Sequence, residues 1–335
     1  MTEHLLIMRF SAMGDVAMTI PVVKALAEQY PELRITMLSR PFAKPLFENL
    51  APNVGFMGAD VKNEYKHITG LNELYKRLSA KNFTAVADFH GVLRTEFLRS
   101  RFLLEGKKVA HINKHRKGRK QLCRQKNKQL IQQPSPFQNY ADVLAKLGYP
   151  VTLDSNSLAF CLPKSEPNDI KIGIAPTAAY KGKSYPLEMM KEVTEKLSAK
   201  YPTAEFYVFG AKAEEYQVLA EESTFASRMH NVADMMRGFD KELPLMSQLR
   251  VMISMDSANM HLASLVGTPV VSIWGQTHPY AGFMGWGQSI DNAIQKDMPC
   301  RPCSAFGNKE CIFGNYPCLT EISPDDIVAK VEQLI

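Results

Sequence analysis

The chain of 335 residues has no apolar run of the ~18–20 residues that span a bilayer, so no membrane-crossing helix is expected. Its start, Met1-Thr2-Glu3-His4, carries no cationic segment, and the apolar stretch after it is short and lacks a small-residue cleavage site. A secretory leader is therefore not expected, and the cytoplasm is the expected compartment. The first strand–turn–helix has one glycine, Gly14, and lacks the G-x-G-x-x-G of a nicotinamide or flavin site. The P-loop spacing G-x-x-x-x-G-K-[ST] is missing too. Acidic residues are missing between Glu105 and Asp142, and aromatic residues are missing from 107–128. Internal repeats and low-complexity segments are absent.

What is present is an ordinary globular composition, 45% hydrophobic and 22% charged, which excludes disordered, collagen-like and coiled-coil chains. The length suits about two domains. Lys and Arg outnumber Asp and Glu by 40 to 34. Ten of those cations lie in 107–128, which leaves 30 against 34 elsewhere. The chain is thus slightly acidic with one basic stretch.

Apolar runs at 5–10, 35–38 and 84–89 read as strands, with helices over 16–30, after Pro41 and over 70–81. The pattern fades at 107–136, and the polar, two-proline stretch 163–169 reads as a linker. Strands are then expected at 170–175, 205–209, 250–255 and 269–274, and helices at 186–201, 259–266 and 323–335. Strands alternating with helices imply parallel sheets. The expected architecture is two doubly wound α/β domains, 1–164 and 170–322, with ligands in a cleft at the strand carboxyl ends. The helix 323–335 is expected to pack back on the first domain.

Asp15 follows the first strand and reads either as a general base or as a helix cap. Asp256-Ser257-Ala258-Asn259-Met260-His261 opens a helix whose free N–H groups suit a phosphate; capping by Asp256 or Ser257 is the other reading. The loop 176–186, with Lys181 and Lys183, reads as a pyrophosphate cradle or as a solvated loop. Lys114, Arg116, Lys117, Arg119 and Lys120 lie in the basic stretch, which suits a polyanion or an anionic membrane surface; a mobile solvated loop is the other reading. Without aromatics for base stacking, nucleic acid is not the expected partner. Cys300-x-x-Cys303 has zinc-ligand spacing, and Cys311 and Cys318 complete a candidate structural zinc set; free thiols are the alternative.

Together these pieces resemble the ADP-heptose:lipopolysaccharide heptosyltransferase family, glycosyltransferase family nine. The resemblance rests on the Ser11-Ala12-Met13-Gly14-Asp15 turn, Asp88-Phe89-His90-Gly91-Val92-Leu93-Arg94, the 176–186 loop, Gly210-Ala211-Lys212-Ala213-Glu214, the 256–263 turn and Trp274-Gly275-Gln276-Thr277. Ala258 stands where the family has glycine. The resemblance implies a GT-B fold, with an N-terminal acceptor-binding domain and a C-terminal nucleotide-sugar domain. It implies inverting transfer from ADP-heptose to a lipopolysaccharide inner-core acceptor, with no metal or other cofactor. Asp15 is then the base. Lys183, Glu214, Asp256, Ser257, Ala258 and His261 hold the donor, and Arg94 and the basic stretch meet an anionic glycolipid at the inner membrane surface. The alternatives are another nucleotide-sugar donor, or a non-catalytic protein that binds anionic glycolipid or nucleic acid.

Overall fold

The computed structural model describes residues 3–221 and 225–335. The chain forms two compact units. One holds the chain up to Lys114 together with Pro136–Phe160; the other holds His115–Ser135 and Cys161–Ile335.

In the first unit five strands, β1 (His4–Met8), β2 (Arg34–Ser39), β3 (Val54–Gly58), β4 (Ala85–Asp88) and β5 (Lys108–His111), form a parallel sheet in the order β3-β2-β1-β4-β5. The central strand is buried at every position, which is why it reads as an unbroken apolar run. Leu5 sits opposite Ile35 on one side and Ala85 on the other. The strand order reverses between β1 and β4, so a crevice opens at their carboxyl ends.

The expected helix 16–30 is two helices, Met13–Ala17 and Ile20–Gln29. Pro21 supplies no N–H and would clash with the preceding turn of a continuous helix, so the chain restarts there. The segment after Pro41 is a 3-10 helix, Pro41–Leu46, with Pro45 inside it. The 70–81 helix runs over Ile68–Ser79 and buries Leu71, Leu74 and Leu78. Helices Leu93–Leu104 and Pro136–Leu147 were not among the expected elements.

The second unit has six strands, β6 (Lys171–Ala175), β7 (Glu205–Val208), β8 (Met229–Asn231), β9 (Val251–Met255), β10 (Val270–Trp274) and β11 (Ala293–Gln295), in the order β11-β10-β9-β6-β7-β8. All pairs are parallel. Here the order reverses between β6 and β9. β9 and β10 are buried at every residue, and Trp274 is fully enclosed with its Nε1 donating to Ser272 Oγ at 2.8 Å.

Two segments bear on the expected organisation. The segment 115–135, which carries most of the basic stretch, groups with the second unit rather than the first. Lys128 Nζ donates to the carbonyls of Pro299 and Pro302 at 3.1 Å each, Gln133 N donates to Tyr280 O at 2.8 Å, and the Arg119 guanidinium lies 4.3 Å over the Phe283 ring. The last helix, Pro324–Glu332, groups with the second unit: Ile327 and Val331 are in its core, and Lys196 and Lys200 pair with Asp325 and Glu332. Among the described residues no helix is long and apolar enough to cross a membrane.

Candidate active site

In the first unit, Asp15 sits in the first turn of the helix that follows β1. Its Oδ2 accepts from Ala12 N at 3.1 Å, so it does close the turn. The same oxygen lies 2.6 Å from Arg9 Nη2. Arg9 is buried, and its Nη1 donates to Phe89 O at 2.7 Å. Burial works against the Arg9 charge, but Tyr140, Asp15 and Asp88 outweigh it and hold the guanidinium protonated more firmly than in water. The pair therefore joins a fixed cation to a carboxylate that keeps 29% of its side-chain surface in solvent. Sequence reasoning missed Arg9, because an arginine inside an apolar run reads as part of the strand. The signal was its position at the carboxyl end of β1.

At the end of β4, the buried Asp88 carboxylate accepts from His90 N at 2.9 Å and Gly91 N at 2.8 Å, and Arg99 Nη1 lies 3.3 Å away. This folds the chain so that His90 Nε2 meets Ser11 Oγ at 3.3 Å. Burial, Arg9 and Lys114 push His90 down to about 3, so its ring is neutral at pH 7. Asp15 and Arg94 act on the same ring electrostatically. The structure thus brings Asp15, Arg94 and Lys114 to one end of the first sheet. Arg116, Lys117, Arg119 and Lys120 belong to the second unit.

In the second unit the 176–186 loop leaves β6 and contains a 3-10 turn, Lys181–Lys183. Lys183 Nζ lies 3.1 Å from Asp256 Oδ2, and both side chains are largely buried. Gly182 is pressed against its neighbours: a Cβ there would meet Gln276 Oε1 at 2.1 Å and Gly307 O at 2.7 Å. Gln276 N donates to Gly182 O at 2.8 Å and pins the turn to the end of β10. Asp256 ends β9, and Ser257 is the N-cap of helix Ala258–Leu265 without a side-chain capping bond. Capping by the Ser257 side chain is therefore not what holds this turn. Ala258 is the first helical residue, and His261 is buried one turn in. Asn259 Nδ2 reaches Phe209 O at 3.5 Å, which sets the Gly210 turn beside this helix start. Glu214 is exposed. Its neighbour Glu215 accepts from Lys212 N at 2.8 Å and from Thr177 Oγ1 at 3.2 Å, so Glu215 is the carboxylate that ties the turn to the loop.

The four tail cysteines line one cavity of about 180 Å³ together with Gln276 and Lys309. Cys318 is sunk in the hydrophobic core, and burial pushes its thiol up to about 12; burial, Cys300 and Cys311 also raise Cys303. Among the described residues no three His, Cys, Asp or Glu side chains are placed to hold a metal ion. The four cysteines of the expected zinc set share this cavity, with Cys318 held in the core packing and the other three on loops.

Comparison with known proteins places this architecture. The family model of glycosyltransferase family 9 (heptosyltransferase) matches residues 71–316. No curated protein is significantly similar in sequence. Among solved structures, a glycosyl transferase family 9 protein from Veillonella parvula is 18% identical, with a TM-score of 0.75 over 99% of this chain and 97% of that one. The E. coli heptosyltransferase WaaC with ADP is 15% identical, with a TM-score of 0.69 over 99% and 100%. The E. coli ADP-heptose lps heptosyltransferase II is 16% identical, with a TM-score of 0.67 over 99% and 98%. The fold is the two-unit GT-B fold of these proteins.

Proposed function

The chain belongs to glycosyltransferase family 9, the heptosyltransferases, and from that premise we propose that it moves heptose from ADP-heptose to a lipopolysaccharide inner-core acceptor. We read the transfer as inverting and metal-independent. The WaaC structure holds ADP, which supports an adenosine diphosphate sugar as donor here.

The observation that carries the reading is the Arg9–Asp15 pair at the strand-order reversal of the first sheet. A general base must be ionised, reachable and fixed. The solvent-facing part of Asp15 gives access, and the Arg9 guanidinium and the Ala12 N–H fix the carboxylate. Asp15 takes the proton of the acceptor hydroxyl as its oxygen bonds to the anomeric carbon. The bond from that carbon to the diphosphate breaks on the opposite face. Negative charge then grows on the departing ADP. Lys183 and the N–H groups at the start of helix Ala258–Leu265, beside Asp256, Ser257 and Ala258, meet that charge. His261 and Glu214 complete the donor site on this reading. Arg94, Lys114 and the cations at 116, 117, 119 and 120 suit a phosphorylated, lipid-borne acceptor at an anionic membrane surface.

The test is Asp15→Ala with ADP-heptose as donor. Transfer should fall by about 10²–10⁴ while the thermal shift with ADP persists. Retained transfer removes Asp15 as the base. A thermal shift with UDP or GDP in place of ADP reassigns the donor.

A further inference from the structure

The basic segment and the most exposed apolar side chains of the second unit lie together. Residues 115–135 carry seven Lys and Arg and no acid. The rest of that unit, 161–335, has 16 Lys and Arg against 21 Asp and Glu, so its positive charge is concentrated in this one segment. Lys128 is used internally, on the carbonyls of Pro299 and Pro302. Arg116, Lys117, Lys120, Arg124 and Lys126 are exposed.

Beside them, water-facing apolar groups have no evident structural use. Ile312 is 77% exposed, Phe313 57% and Phe306 55%, and Leu130 and Ile131 follow Lys128 with more than half their surface in solvent. Contacts join the two sets. The Arg119 guanidinium covers Phe283, whose ring centroid is 6.2 Å from that of Phe306. Gln125 and Ile312 line the same cavity, and Gln125 Nε2 reaches Cys300 O at 3.4 Å.

We infer that this face of the second unit docks on an anionic phospholipid bilayer, with Phe306, Ile312 and Phe313 entering the interface and the exposed cations of 116–126 resting on the headgroups. Charge complementarity selects the partner: cations draw the face to an anionic surface, and apolar tips gain only where hydrocarbon can receive them. A dissolved polyanion would use the cations and leave the apolar groups in water. A second copy of the unit would set the same positive segments against each other. The inference rests on the reading above that the acceptor is lipid-borne, and it adds which surface brings the enzyme to that lipid.

The test is co-sedimentation of the full chain with phosphatidylcholine vesicles, with and without phosphatidylglycerol. Binding is expected only with phosphatidylglycerol and should weaken as salt rises. Arg124→Gln/Lys126→Gln should weaken it about 30-fold, and Ile312→Ser/Phe313→Ser roughly tenfold or more. Both variants should keep the circular dichroism of the parent and its transfer rate on a deacylated, water-soluble acceptor. Equal binding to both vesicle types, no binding to either, full binding by the serine variant, or tighter binding to heparin than to vesicles overturns the inference. Loss of transfer to the soluble acceptor by the parent chain, with vesicle binding intact, overturns the proposed function instead.

Discussion

His90 makes the stability of the first unit depend on pH in a way that can be worked out beforehand. Its folded-state value is pushed down to about 3 by burial, Arg9 and Lys114, against 6.5 for the free side chain. Between those values the unfolded chain binds a proton that the folded chain refuses. The stabilisation is complete above pH 6.5 and is lost as pH falls toward 3. Each unit of that fall costs ~1.4 kcal/mol, and the whole interval about 5 kcal/mol. His90 is nearly enclosed, so solvent screening does not reduce this much. His90→Gln removes the titration and keeps a polar group facing Ser11. Relative to the variant, the parent should lose about 3 kcal/mol between pH 6.5 and pH 4. His4, also lowered by burial, is in both proteins and cancels. The probe matters, because both tryptophans, Trp274 and Trp286, lie in the second unit and do not report on the first. Hydrogen exchange at the β1 and β4 amides, measured across the pH series, reads the right unit. If parent and variant lose protection in parallel from pH 6.5 to pH 4, His90 is not held neutral and the argument fails.

Three substitutions probe the second unit. Lys183→Gln removes the cation beside Asp256 and should weaken ADP binding about 10- to 100-fold by calorimetry, at the strength of a charge-assisted hydrogen bond. Gly182→Ala forces a methyl into Gln276 Oε1 and the Gly307 carbonyl and should destabilise the unit by about 1–3 kcal/mol in tryptophan-monitored urea melts. Arg301→Leu frees four acceptors now bonded to the guanidinium, the carbonyls of Gly275, Thr277 and Lys296 and Gln295 Oε1, and should cost about 3–5 kcal/mol in the same melts.

Strands enclosed on both faces were legible in the sequence because burial forces an unbroken apolar run, as in β1, β9 and β10. Edge strands were not. In β3 only Met57 is buried, and in β5 Lys108 and His111 face solvent, so neither stands out from a loop. Helix Leu93–Leu104 was hidden by Leu93, Leu103 and Leu104, which are exposed and blur its Thr95–Leu98–Phe102 stripe. The same division holds at the site. Asp15, Lys183 and Asp256 stood out because each follows a recognisable strand, whereas the grip of Arg9 on Asp15 and of Glu215 on Thr177 is a matter of side-chain geometry. The allegiance of 115–135 was illegible because it is decided by contacts with 280–302, more than 140 residues along the chain.

The Lys183–Asp256 pair shows how one arrangement serves both fold and proposed chemistry. Asp256 is 4% exposed at the end of β9, where an unpaired carboxylate would carry a large desolvation cost. Lys183 pairs with it, so the loop after β6 and the turn after β9 are drawn together by opposite charges. On the proposed reading, a diphosphate at the same turn offers Lys183 a second, doubly charged partner. The ammonium has three donors and can serve both anions. A cation already held in place loses little further side-chain freedom when the diphosphate binds. Asp256 on this argument is a positioning residue for Lys183, because moving the lysine away would leave the carboxylate buried and alone. On the proposed mechanism the cation is therefore in place before the leaving group develops its charge, which is the condition for stabilising a transition state without reorganisation.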